Sequence, residues 1–215
     1  MQNNILIFIP SVVYFKNKAL SYSTNRSIFT PEERALQTVE SIRSVKKHIP
    51  QAKIVLIELG LSKELPYDLT KLPDQYLYLG DNFFVRKACD SKFKALGESM
   101  ALFIAYFKKN KNNFDLYFKL SGRYYINDNF NIENFINGEM NAKVYGNAIS
   151  TRLYSFKHSF RIRWLVSLFF SMILSFLNIS LEKIMFYLIG KKKINDVKLV
   201  GVEGLIGPNG EKISE

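Results

Sequence analysis

The side chains with the greatest chemical reach in this sequence are cations that stand where apolar runs end. Ser11 closes the first such run, and Tyr22-Ser-Thr-Asn-Arg-Ser27 follows it. Arg26 offers a planar fork of donors suited to a diphosphate, and Tyr22 offers a ring on which a base can stack. Arg34 falls in the first turn of a predicted helix, where free N–H groups and the helix dipole favour an anion. Arg86-Lys87-Ala-Cys-Asp-Ser-Lys92-Phe-Lys94-Ala-Leu-Gly-Glu98 is a basic stretch entering a helix. Within it Lys92 suits a pyrophosphate, and Glu98 suits a ribose or sugar hydroxyl. Lys119, Ser121, Gly122 and Arg123 end another apolar run, and Arg152 follows a later one, placed for a phosphate or an acidic acceptor. Every one of these has a plainer reading as a solvated loop cation, a helix cap or, for Glu98, a partner of Lys94. Glu182 and Glu203 are the carboxylates in apolar settings, where partial burial raises a pKa towards that of a general base. Structural pairing with one of the 30 basic residues is the competing reading for both.

These groups need elements to hold them, and the chain supplies an alternating pattern. Ile5–Val13 reads as a strand interrupted by Pro10 and Ser11. Thr30-Pro31-Glu32-Glu33 is a helix start with a capping box, Ala35, Val39, Ile42 and Val45 recur at helical spacing, and Pro50 ends the element. Lys53–Leu59, Tyr76–Leu79, Leu116–Leu120 and Val144–Ser150 read as further strands, and Ser91–Asn110 as a helix striped by Leu96, Met100, Phe103 and Phe107. Lys108–Asn113 reads as its polar exit, and Asp128 as a turn residue. Gly97, early in that helix, implies close approach of a ligand or a neighbouring backbone. Strand–helix alternation of this kind predicts an α/β domain with a mostly parallel sheet and ligands at the strand ends.

The last quarter differs. Trp164–Leu181 carries no charge, and Ser167, Ser171, Ser175 and Asn178 repeat at helical spacing on one face. That pattern favours a helix packed on the core or lying on a membrane surface over one that spans it. Residues 1–160 are expected to form the nucleotide-binding α/β core, and 161–215 a helical, membrane-proximal, acceptor-side region of the same domain. Ile5–Ile9 is short, follows two asparagines and is halted by Pro10, unlike a secretory leader, so a cytoplasmic place at the inner face of a membrane is expected.

Bulk properties narrow the classes. With 47% apolar and 14% aromatic residues the chain is not disordered. One cysteine, Cys89, excludes an intrachain disulfide framework, and two histidines beside it give no basis for a structural zinc site. A net charge of +11 calls for an anionic partner: a phosphorylated small molecule, a membrane or a nucleic acid. No nucleic-acid-binding motif is present, and the cations are spread over several strand ends.

Taken together, Ile-Phe-Ile-Pro-Ser near the start, Tyr-Ser-x-x-Arg-Ser-x-Phe-Thr-Pro-Glu-Glu-Arg-x-x-Gln-Thr (Tyr22–Thr38), Phe-Lys-Leu-Ser-Gly-Arg-Tyr (Phe118–Tyr124), Thr-Arg-Leu-Tyr-Ser (Thr151–Ser155) and Gly-Val-Glu-Gly (Gly201–Gly204) form a set. It resembles GT-A-type glycosyltransferase-like proteins of bacterial surface-polysaccharide loci and large DNA viruses, over nearly the whole chain. The resemblance implies a GT-A-like fold, a nucleoside-diphosphate sugar as donor, and a glycan or lipid-linked acceptor. On this reading Arg26, Lys92 and Arg123 hold the diphosphate, with Glu203 or Glu182 on the acceptor side. The sequence departs from better-known members at the strand end where an Asp-x-Asp would hold a divalent metal. Ser121-Gly122-Arg123 stands there, with Lys119 just before, so a cation is expected to take the place of the metal and no cofactor to be required. Two other classes remain open: a basic nucleic-acid-binding module, and an inactive membrane-associated scaffold.

Overall fold

The computed structural model describes residues 4–109 and 114–215. Its first strand, β1 (Ile5–Ser11), is fully buried except at Pro10, as a continuous β-branched run in a parallel sheet should be. The chain leaves the sheet after Ser11, and Val13 N–H turns to the buried carboxylate of Glu58 at 2.9 Å. Helix α1 (Pro31–His48) begins with the expected capping box: Thr30 Oγ accepts from Glu33 N–H at 3.2 Å, and the Glu33 carboxylate accepts from Thr30 N–H at 2.7 Å. Its stripe of Ala35, Val39, Ile42 and Val45 is buried.

Strands β2 (Lys53–Glu58), β3 (Gln75–Tyr78) and β4 (Leu116–Leu120) lie close to their expected positions. The order β3-β2-β1-β4 is parallel throughout. The remaining strands are β5 (Tyr124–Ile126), β6 (Met140–Tyr145), β7 (Ala148–Lys157), β8 (Ile194–Asp196), β9 (Val202–Leu205) and β10 (Lys212–Ser214). Antiparallel β7 and β6 and then β8 complete a seven-stranded, mostly parallel sheet, while β10-β9-β5 form a small antiparallel one. Two apolar clusters cover the two faces of the large sheet, one beneath α1 and one beneath the other helices.

Three sequence readings are corrected. The expected strand at Val144–Ser150 is instead the tip of the β6–β7 hairpin, in which Tyr145 pairs with Ala148 across Gly146-Asn147. Gly146 has φ +58°, which a two-residue hairpin loop demands and glycine meets without strain. The expected helix at Ser91–Asn110 is α3 (Lys94–Lys109), which starts three residues later, and a short helix that the sequence reading lacked, α2 (Phe83–Cys89), capped by Asn82, precedes it. Its expected end at Asn110 and most of the polar exit lie outside the described residues. Gly97 faces neighbouring backbone: a Cβ there would lie 3.2 Å from the Cα of Cys89. Phe107 is exposed, whereas Leu96 is buried.

In the last quarter the uncharged run makes α4 (Arg161–Leu174) and a 3-10 turn (Ser175–Leu177), and stops at Asn178 in the left-handed region with φ 61°. Helix α5 (Leu181–Ile189) follows. The serine face is real, but it points inward. Ser167, Ser171 and Ser175 are buried and donate to the carbonyls of Arg163, Ser167 and Met172 at 2.9, 2.7 and 2.9 Å. Residues 161–215 are only partly helical, since they also contribute β8, β9 and β10.

Candidate functional site

Parallel pairing puts the C-terminal ends of β1, β2 and β4 on one edge, and antiparallel β7 brings its first residues there, with Leu153 opposite Leu120. The first turns of α1 and α3 open onto the same edge. Between them lies a cavity of about 210 Å³. Ser11, Tyr22, Arg26, Arg34, Glu98, Ser121, Gly122, Arg123, Arg152 and Glu182 all line it, so the sequence-predicted groups largely converge. A second cavity of about 190 Å³ shares Tyr22, Lys94, Glu98 and Glu182 with the first.

Arg34 is the most informative wall. Its side chain is buried, with the guanidinium 4.9 Å from the centre of the Phe15 ring and its Nε without a hydrogen-bond partner. Burial, and then repulsion from Arg123, push its pKa down to about 9. Arg34 keeps its charge at neutral pH, but at a cost that a bound anion offsets. Lys94 lines both cavities, and burial and Arg123 lower its pKa too. Among the described residues no carboxylate lies within ion-pair distance of Arg34, Lys94 or Arg123. Arg152, by contrast, is neutralised by Glu215 at 2.7 Å and stands over the Tyr124 ring.

Two expected ligands are otherwise engaged. Arg26 donates to the backbone carbonyls of Lys18, Cys89 and Ser91, the first two at 3.2 and 2.7 Å. It fastens the strap of residues 14–29 to the α2–α3 connection. Ser21 N–H to Lys92 O at 3.0 Å and Ile28 N–H to Gly207 O at 2.9 Å complete the fastening. Lys92 itself lines neither cavity and holds its Nζ over the Phe93 ring, and Lys94 takes the place expected of it. Lys92 precedes the helix, which starts at Lys94, so only the later lysine is held on the first turn beside the cavities.

The carboxylates divide in the same way. Glu98 is ion-paired with fully buried Lys119, which also donates to Ser121 Oγ at 2.6 Å and to Thr151 O. Burial opposes ionisation of Glu98, but Lys119 and Lys94 outweigh it and hold the carboxyl below its usual range. Lys119 therefore lies behind the cavity wall and positions Ser121 and Glu98, with no direct access to a ligand. Glu182 accepts from Thr151 Oγ1 at 3.1 Å and faces both cavities. Glu203 does not reach either. On β9 the alternation turns Val202 and Gly204 inward and Glu203 outward, where it accepts from Tyr125 Oη at 2.8 Å and Asn127 Nδ2 at 2.9 Å. The Tyr125 hydrogen bond, with that of Asn127, lowers its pKa, the opposite of what a general base needs.

Sequence reasoning missed Phe15, Leu20, Leu59, Ile206 and Pro208, which give the first cavity its apolar walls. Leu59 ends the expected second strand, whereas the others come from loops without local periodicity, so no signal in the sequence points to them. Glu98 is taken by Lys119, Ser121 and Arg123 stand at the β4 end, and no group of three acidic, cysteine or histidine side chains gathers among the described residues. Asp128 is an exposed turn residue paired with Lys47 at 2.7 Å, far from this role.

No protein-family model matches the chain, and neither does any curated protein. Among solved structures it is similar to the galactosyltransferase LgtC, determined in complex with donor and acceptor sugar analogues. The match covers 96% of this chain and 88% of that one, at 9% identity and a TM-score of 0.52. The glycosyltransferase GlyE of Streptococcus pneumoniae TIGR4 aligns with 92% of this chain at 10% identity and a TM-score of 0.48, and this chain spans under half of it, 45%. The architecture is GT-A-like.

Proposed function

We propose that the chain is a glycosyltransferase that moves a sugar from a nucleoside diphosphate to an acceptor hydroxyl without a bound metal. The observation that carries this reading is the convergence of Arg34, Lys94 and Arg123, none paired with an acid, on one cavity at the β1 and β4 ends. Ligands of open α/β sheets bind at such strand ends. The diphosphate lies against these cations, and the base against Val12, Phe15, Leu20 and Leu59. In the transfer, the acceptor oxygen bonds to the anomeric carbon as the bond from that carbon to phosphate breaks. The electron pair leaves on the phosphate oxygen, where the three cations offset the charge that a metal offsets elsewhere. Glu182, on the wall common to both cavities, takes the proton of the acceptor hydroxyl.

Thermal unfolding against a panel of nucleoside diphosphates and their sugars, each with Mn²⁺ or EDTA, tests this. A ligand at 100 times its Kd stabilises by about 2.7 kcal/mol, a shift of a few degrees. The expected outcome is a shift for one nucleotide class that survives EDTA and disappears in Arg34→Met and Arg123→Ala. Absence of any nucleotide shift, or a shift indifferent to both substitutions, sinks the proposal.

A further inference from the structure

Helix α4 presents to water the residues a soluble helix ordinarily buries. Its serines are packed inside, while Val166, Phe169, Phe170 and Ile173 are exposed. The 3-10 turn continues the face with Phe176 and Leu177, at 61% and 68% exposure. Helix α3 lies alongside in the opposite direction: Phe93 meets Phe176 with ring centres 5.4 Å apart, and Phe103 meets Phe169 at 6.5 Å. Phe107, 63% exposed and 5.2 Å from Phe103, extends the same surface. A contiguous apolar face of this kind in water marks a contact with something apolar.

The charges around the face are arranged by position. Lys108 and Lys109 close α3, Arg161 and Arg163 open α4, and Lys191–Lys193 follow α5. Ile194, next in the chain, pairs with Met140, which pairs with Phe156 just ahead of α4. The three basic segments thus gather at one end of the helical layer. At the other end lies the second cavity, walled by Phe93, Ser175, Ile179, Ser180 and Glu182, so its rim continues directly from Phe176 and Leu177.

We propose that this face rests on an anionic bilayer, and that the second cavity, opening where the face ends, is the subsite for a lipid-carried acceptor. The subsite rests on the transferase reading above; the docking face does not. Cations at one end meet acidic headgroups, the apolar stripe enters the acyl boundary, and the acceptor reaches Glu182 without leaving the lipid surface. Helix α4 lies along the bilayer and does not cross it. Its Trp164 and Leu168 are buried in the core, with Trp164 stacked 4.5 Å from Phe156. This is so although residues 158–177 have the length and hydropathy of a span.

Flotation of the full chain with vesicles of phosphatidylcholine, alone or mixed with phosphatidylglycerol, tests the docking face. Recovery with the mixed vesicles only is expected, falling on the order of tenfold or more in a variant carrying Lys108→Glu and Arg163→Glu. Trp164 is fully buried and gives a constant background, so a tryptophan placed at the rim reports directly. Leu177→Trp should shift to the blue and be quenched by brominated lipid, while Leu36→Trp, on α1 across the sheet, should do neither. Failure to float, or equal signals at 177 and 36, overturns the proposal. So does a wild-type dimer that Phe170→Ser turns into a monomer without any vesicle binding, which would make the face an interface between copies.

For the subsite the probe is octyl glucoside below its micelle point, with methyl glucoside as control. It should add thermal stability to the nucleotide complex, and Ser180→Trp, which fills the second cavity, should cancel that gain while leaving the nucleotide shift. No gain, or a gain that survives Ser180→Trp, overturns the subsite. Flotation and the nucleotide shift depend on different surfaces. Loss of one alone therefore identifies which reading has failed.

Discussion

In the first cavity Arg34 is buried without an ion-pair partner, beside Lys94 and Arg123, whereas on the α3–α4 layer aromatic rings stand in water with serines packed beneath them. The two regions invert the usual sorting in opposite senses, and each inversion costs free energy in the isolated chain. The cavity offers its cations to an anion, and the helical layer offers its rings to an apolar phase. The difference also separates two uses of polarity: the cavity leaves charge unsatisfied, whereas the serines of α4 satisfy themselves against their own backbone.

The largest way to break this contrast is to remove the acid that pairs with fully buried Lys119. Glu98→Gln leaves Lys119 buried without its counter-charge and should cost ~3–5 kcal/mol in urea unfolding. Arg34→Met comes next. It should weaken the stabilising nucleotide by ~2–5 kcal/mol, read by calorimetry, while the free protein unfolds no more easily than wild type. A drop in free-protein stability as large as the loss of binding would mean that Arg34 is structural, and the contrast would fail. Ser171→Leu sharpens the other side: overpacking the inward face of α4 should cost ~1–3 kcal/mol, whereas Phe170→Ser on the outward face should change stability by under ~0.5 kcal/mol.

Acid titration gives a smaller effect. The pKa of Glu98 is depressed in the fold, so its contribution is complete above the unfolded value near ~4.3 and is lost as pH falls through the folded value. The stability gap between wild type and Glu98→Gln should accordingly narrow below about pH 4. Smallest of all is Glu203→Gln, which should leave sugar transfer unchanged, because that side chain faces away from both cavities.

Where the sequence was legible, the signal was local. The capping box at Thr30–Glu33 and the β-branched runs of β1, β2 and β4 decide their own structure, and the strand ends they produce bring Ser11, Ser121 and Arg123 together. The hairpin tip at Gly146-Asn147 carried a signal too, since glycine before asparagine is a hairpin loop pair, but the apolar run through Ile149 masked it. Other features depend on distant partners. β8 to β10 are short and exist through pairing with β6 and β5, and α2 is too short to show a period. The same limit explains the misplaced residues. Lys92 sits just before a helix boundary that no cap announces, and the outward face of β9, which carries Glu203, is defined only once Tyr125 lies opposite. The serine stripe gave a face but not its direction. Burial is a property of the assembled layer, and small hydroxyl groups bonded to the preceding turn can be buried as readily as alanine.

The fastening of the strap has a consequence for timing. One guanidinium, that of Arg26, gathers carbonyls from Lys18, Cys89 and Ser91, so the strap and the α2–α3 connection cannot loosen separately. In amide exchange, residues 20–28 and 89–93 should therefore behave as one cooperative unit, opening together at a free energy below that of global unfolding. The lifetime of that closed unit, more than the width of the cavity, would then set how long a bound molecule stays.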